Sequence, residues 1–295
     1  MMLIRYPSLQ QRFAHLLIDA VAISSHCSRT PVGNAEREVS QPSVPIQLDL
    51  RSPLGTFTSP IALQLAMKSR SSMEIATDLV ALVPPSADLK LWVKPPGWIY
   101  GQFSEDAIAS ILQKLIEQSP QLQAPVSVDL DKSLSDRQLF LVQYAHARCC
   151  ALLRLGQREA LIDFEAHLQK PAYTLTTSIP WTTEQGTLQL QHPAARSLLQ
   201  NLLAFPNRLG PSTQTGCPEG MVPLLWPVPK KIVLRDSQAW AASFLQFYRD
   251  CRILGEVSQS TPKLSQARLG LVSATQRVLA FLLQDLLHVV APVEL

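Results

Sequence analysis

VQYAHARCCALLR, residues 142–154, decides how the second half of this chain folds. Val142, Ala145, Cys149, Leu152 and Leu153 recur at helical spacing and form one apolar stripe, so the stretch reads as an amphipathic helix over about Leu139–Leu155. Tyr144, His146 and Arg148 lie along the same helix. Further downstream the same periodicity predicts helices over Pro193–Ala204, Ala239–Leu254 and Leu264–Val290. The stretches KPAYTLTTSIPWTTEQGT and PNRLGPSTQTGCPEGMVPLLWPVPKK interrupt them and read as loops or insertions, with Lys230 and Lys231 a solvated basic pair in the second. Residues 134–295 are therefore expected to form an all-α bundle.

Toward the N-terminus, QSPQLQAPVSVDLDKS is interrupted by prolines and lacks periodicity, which places a linker over 119–133. The first 118 residues read as a small α/β unit. Ile4, Leu9, Phe13, Leu16, Leu17, Ala20 and Val21 predict a helix over 4–24, followed by a loop over 24–43. VPIQLDL alternates as a strand does. A helix over 59–82 is expected to open with Ser59 as N-cap and Pro60 in its first turn. LKLWV and WIYGQF read as strands joined by the turn KPPG, and Ser104, Glu105 and Asp106 suit the start of a helix ending near Glu117. The expected fold class is α+β.

With 295 residues the chain is long enough for two domains, and 46% hydrophobic against 17% charged residues excludes wholesale disorder. The net charge of +3 argues little for or against nucleic acid. Five cysteines without a CxxC pair support neither a zinc site nor a disulfide framework, and no cofactor is expected. The apolar runs near Leu16–Ile23 and Val278–Val290 are too short or too interrupted to span a bilayer, and the start lacks a signal-peptide pattern, so a cytoplasmic protein is expected.

Three motifs in the second half resemble, in order, the DALR anticodon-binding domain of arginyl-tRNA synthetases. They are VQYAHARCCALLR, FLQFYRDCRIL (244–254) and QARLGLVSATQRVL (266–279). In the first half, LGTFTSPIALQLAMKSRSSMEIATDLV and WVKPPGWIYGQFS are similar to the additional N-terminal domain of the same family. Matched positions include Gly55, Ile61, Ala62, Leu65, Ala66, Glu74, Ile75, Ala76, Pro96, Gly97 and Ile99. Between these two units the family carries a catalytic domain with His-Ile-Gly-His and Lys-Met-Ser-Lys-Ser signatures. Here no two histidines lie within five positions, and MKSRS (67–71) is only a superficial match to the second signature.

The resemblance implies a non-catalytic, tRNA-binding protein, with arginine tRNA as partner and a tRNA-modifying enzyme or other protein as a further one. It places Tyr144, His146 and Arg148 on the anticodon-facing helix, where a ring can stack on an unpaired base and a guanidinium can stack or bind phosphate. Tyr248, Arg249 and Arg252 follow on the Phe247 helix. Trp98, Tyr100 and Gln102 alternate along a strand that in the family faces the tRNA elbow. The alternative for each is ordinary packing or a solvated face. Leu295 stands where the family commonly has a methionine touching the anticodon loop. A structural subunit that turns this surface to protein contact is the other expectation, for which apolar stretches such as MVPLLWPVP speak.

Overall fold

The computed structural model describes residues 2–27, 44–66, 70–122, 136–166, 173–209, 221–224 and 229–295. The expected loop beyond Cys27, most of the expected linker, Lys68 and the stretch LWPV lie outside the described residues. The α+β arrangement expected from the sequence is present. A four-stranded antiparallel sheet with its helices comes first, and long helices follow.

The chain begins with strand β1 (Met2–Arg5) and helix α1 (Leu9–Cys27). Ile4 thus belongs to a strand, not to the start of the first helix. Strands β2 (Gln47–Leu48) and β3 (Thr56–Ser59) lead to the short helix α2 (Ile61–Leu65) and to α3 (Ser72–Leu82). The expected single helix over 59–82 is broken because Ala66 is extended (ψ 123°) and α3 starts afresh at Ser71. There Ser71 Oγ accepts from the Glu74 amide while the Glu74 carboxylate accepts from the Ser71 amide, a reciprocal capping box. Pro60, not Ser59, is the N-cap of α2 and caps it with no side-chain hydrogen bond, although Ser59 Oγ accepts from the Ile61 amide at 3.3 Å.

Strands β4 (Leu89–Lys94) and β5 (Trp98–Phe103) form the expected hairpin through a cis Pro95–Pro96 bond and Gly97, and α4 (Glu105–Glu117) starts at Ser104 as anticipated. The sheet order is β2-β3-β5-β4, all antiparallel. Phe57, Ile99 and Phe103 fill its inner face. Gly101 lets α1 lie flush on that face, since a Cβ there would fall 2.7 Å from Phe13 Cε2.

After β6 (Gln121–Leu122) come helix α5 (Asp136–Arg158), the hairpin β7 (Phe164–Ala166) and β8 (Tyr173–Leu175), and helix α6 (Pro193–Leu209). Strand β9 (Met221–Leu224) precedes α7 (Lys230–Asp250), α8 (Glu256–Ser260) and α9 (Pro262–Phe281). Lys230 and Lys231 open α7 instead of lying in a loop. The last helix stops at Phe281, passes through a π-helical turn (Leu282–Leu286) and leaves at His288 with φ 55°. A non-glycine residue seldom adopts that conformation, which is why periodicity alone carried the expected helix on to Val290.

Helix α9 is buried on all sides from Leu269 to Phe281 and is the axis on which α5 and α4 pack. One continuous apolar core consequently runs through both halves. Polar contacts fasten the seam. Trp181 Nε1 donates to Gln113 Oε1 (2.9 Å), Arg196 pairs with Glu105 (3.1 Å), and the Leu188 amide donates to the other Glu105 oxygen. Tyr6 in the first half donates its hydroxyl hydrogen to the Leu202 carbonyl of α6 (2.9 Å). Strand β1 lies between β6 and β9, with Ile4 opposite both Leu122 and Val222. The start of MVPLLWPVP is therefore a paired strand, not a free apolar loop.

Candidate nucleic-acid interface

Arg137, Phe140, Tyr144, Arg148, Leu155 and Arg158 fall three or four residues apart (or twice that) along α5 and so line one side of the helix. The opposite side, with Val142, Ala145, Cys149 and Leu153, is buried in the core. Phe140 is 58% exposed and Tyr144 39%, and their rings lie nearly parallel, 6.0 Å apart. Two adjacent exposed rings on a rigid helix make a platform on which a planar group can stack.

One turn further on, Arg148 is half-buried. Its guanidinium lies over the Tyr248 ring, 4.6 Å from the centroid, and donates to the Tyr248 hydroxyl. Tyr248 in turn stacks on Phe244 of α7 at 6.5 Å. Arg148 and Tyr248, expected separately from the sequence, are thus brought together, and they join α5 to α7. Arg249 and Arg252 are exposed just beyond. Arg249 pairs with Asp250 (2.9 Å), which raises the arginine pKa and lowers that of the aspartate through their hydrogen bond. The Arg252 carbonyl accepts from the half-buried Arg268.

His146 requires a correction. It has no exposed surface and cannot offer its ring to a ligand in this structure. Its Nδ1 lies 2.8 Å from the Pro292 carbonyl and its Nε2 lies 2.8 Å from Gln276 Nε2 of α9. Segment 288–295 runs alongside α5. Gln143 Nε2 donates to the Val290 carbonyl (3.1 Å), and Arg154 donates to the Val293 carbonyl and pairs with Glu294 (3.1 Å). Val290 and Leu295 remain 74% and 70% exposed.

Trp98, Tyr100 and Gln102 lie elsewhere, on the outer face of the four-stranded sheet, alternating with buried Ile99, Gly101 and Phe103. Opposite them in register stand Lys94, Trp92 and Lys90 of β4. The Trp92 and Tyr100 rings stack at 5.4 Å, and Lys94 Nζ sits 4.5 Å from the Tyr100 centroid, a cation–π contact. All three expected residues are half-buried, partly because these neighbours cover them.

An exposed aromatic pair and a ring-stacked arginine on a helix, with more arginines at the neighbouring helix end, offer planar faces for stacking and cations for anionic groups. Residues 142–295, just over half of the chain, match the model of the DALR anticodon binding domain. The chain belongs to the DALR anticodon-binding domain family. Tyr144, Arg148, Tyr248, Arg249 and Arg252 all fall inside the DALR domain, whereas Trp98, Tyr100 and Gln102 lie outside it. The chain is 35% identical over 177 residues, 59% of its length, to an arginine–tRNA ligase of Synechococcus sp. (strain JA-3-3Ab). It is 36% identical over 154 residues, 52% of its length, to one of Pelodictyon phaeoclathratiforme. These matches span only 25% and 22% of the respective ligases. No solved structure matches the chain.

Phe140 escaped the sequence reading although its position four residues before Tyr144 was a usable signal. The role of Gln143 and Arg154 had no such signal, because their partners are backbone carbonyls some 140 positions away. Among the described residues, no helix is long and apolar enough to cross a membrane.

Proposed function

We propose that this protein binds tRNA, with the exposed side of α5 and the end of α7 receiving unpaired bases of the anticodon loop. The observation that carries the reading is the Phe140–Tyr144 stack beside the Arg148–Tyr248 pair, inside or at the edge of the DALR domain. Stacking platforms flanked by guanidinium groups bind single-stranded loops through base faces and phosphates. The similarity to arginine–tRNA ligases makes an arginine tRNA the preferred partner. With neither nucleotide-activating signature in its sequence, the protein does this without charging the tRNA, as an escort or regulator.

Mobility-shift titration with a panel of purified tRNAs at two salt concentrations tests the reading. The expected result is binding that favours arginine tRNA and weakens with salt, together with no aminoacylation when arginine and ATP are supplied. Absence of tRNA binding at low salt, or sustained aminoacylation by the pure protein, overturns it.

The exposed apolar groups Phe140, Leu155, Val290 and Leu295 favour a second reading, in which the same face docks a protein. That reading predicts an association indifferent to salt and to added tRNA.

A further inference from the structure

The buried His146 raises a question of its own, since it sits in the middle of the candidate RNA-binding helix and yet reaches no solvent. A carbonyl oxygen only accepts hydrogen bonds, so the contact with Pro292 O places the ring proton on Nδ1. Nε2 then carries the lone pair and accepts from the Gln276 amide. Both edges of the ring are committed. One side chain of α5 thus ties segment 288–295 to a buried glutamine of α9.

The segment has other polar ties, among them the Val289 amide on the Leu283 carbonyl (2.8 Å) and the Arg154–Glu294 ion pair (3.1 Å), but of its side-chain ties to α5 only that of His146 is fully buried. Gln143 and Arg154 hold it from half-buried positions, the latter at 3.4 Å to the Val293 carbonyl. Leu287 and Ala291 are buried, but Val290, Val293 and Leu295 remain exposed, so burial alone does not fix the path.

The location of that path matters. At 100° per residue, Gln143, His146, Cys150 and Arg154 share one side of α5, and Arg137, Phe140, Tyr144 and Arg148 share the adjoining side. Tyr248 of α7 borders the second group beyond Arg148. The aromatic stripe is therefore a floor with α7 along one edge and segment 288–295 along the other.

We infer that His146 is a positioning residue for RNA binding: through Pro292 it sets the segment that walls the Phe140–Tyr144 platform. The inference rests on the proposed tRNA-binding role of that platform. His146 itself touches no RNA.

The test combines four forms of the full chain: His146→Ala, His146→Asn, removal of residues 289–295, and that removal together with His146→Ala. Asparagine can present an amide donor close to where Nδ1 stands. Amide hydrogen exchange of 282–290, which includes the Val289 amide bonded to Leu283 O at 2.8 Å, reads the latch without RNA. Binding of an arginine-tRNA anticodon stem-loop reads the site. His146→Ala should speed exchange in this stretch at least about tenfold while the α5 core stays protected. It should weaken the stem-loop by about tenfold, as much as the removal does, and add nothing once the segment is gone. His146→Asn should restore both readouts in large part.

Unchanged exchange in His146→Ala overturns the latch. A freed segment with unchanged affinity overturns the wall, and a further loss on combining the two changes shows that His146 does not act through the segment. Failure of the unsubstituted chain to bind any stem-loop overturns instead the tRNA reading beneath the inference, and the exchange data distinguish that case because they need no RNA.

Discussion

Arg148 of α5 lays its guanidinium over the ring of Tyr248 on α7 and donates to the same residue's hydroxyl, so one side chain uses both the face and the edge of its neighbour. A planar cation does this and an ammonium does not. Arg148→Ala should weaken tRNA binding by about 1–3 kcal/mol, the range for losing a stacked or charged contact. Arg148→Lys should recover little of it. Tyr248→Phe keeps the ring and loses only the hydroxyl, so its expected effect is about 0.5–1.5 kcal/mol of folding stability, read by urea denaturation.

Phe140 and Tyr144 are exposed and stack on each other, so losing either ring should touch binding and not folding. Tyr144→Ala and Phe140→Ala should each cost about 1–3 kcal/mol in tRNA affinity. Both should leave stability within about 0.5 kcal/mol of the unsubstituted chain. A drop in melting temperature matching the drop in affinity would contradict this.

If several phosphates are neutralised by arginines along α5 and at the end of α7, the logarithm of the binding constant should fall linearly with the logarithm of salt concentration. The net charge of +3 points to a shallow slope of a few ion pairs. Arg252→Ala and Arg137→Ala should each reduce that slope by about one. A titration that gives the same slope for all three proteins removes these side chains from the interface.

Gly270 is where α9 passes beneath Trp181 at the seam between the halves, and a Cβ there would lie 2.5 Å from Trp181 Cη2. Gly270→Ala should destabilise the whole chain by about 1–3 kcal/mol, as overpacking does. A single lowered unfolding transition is expected, because the core is continuous across the seam. Two separated transitions would mean that the halves unfold independently.

Burial pushes the Cys150 thiol from its ordinary 9.0 up to about 12, and it raises Cys149 as well. Well below pH 9 each thiol is protonated in both folded and unfolded chains, so its contribution to stability is constant. As the pH climbs from 9 toward 12, the unfolded chain releases protons that the folded chain retains, and stability falls. Urea midpoints at pH 8, 9.5 and 10.5 should decline, and Cys150→Ala should shallow the decline. Equal decline in both proteins would assign the loss to other groups.

The sequence made α5 legible because its stripe, Val142 to Leu153, repeats over about three turns at helical spacing. The hairpin of β4 and β5 was legible through its prolines and Gly97, which punctuate the chain where the turn lies. Strand β1 was not. Four residues are too few to establish a period of two, and its partner Met221–Leu224 lies far along the chain. Arg148 and Tyr248 were identified one by one, yet their stacking depends on how α5 meets α7, which no local pattern encodes. His146 was misplaced for a related reason: the residue that claims its Nδ1 is Pro292, and its other partner is Gln276.

The pairing of β1 on both edges has a consequence for synthesis. Met2–Arg5 is made before its partner Met221–Leu224, which follows only after α1 to α6. Until then at least one edge of the strand has bare amides and carbonyls, a template for pairing with other chains. Strand β1 is thus secured late, and closing so long a loop is slow. Nascent chains stalled before Met221 should keep this strand edge unsealed, with Met2–Arg5 still waiting for their partner.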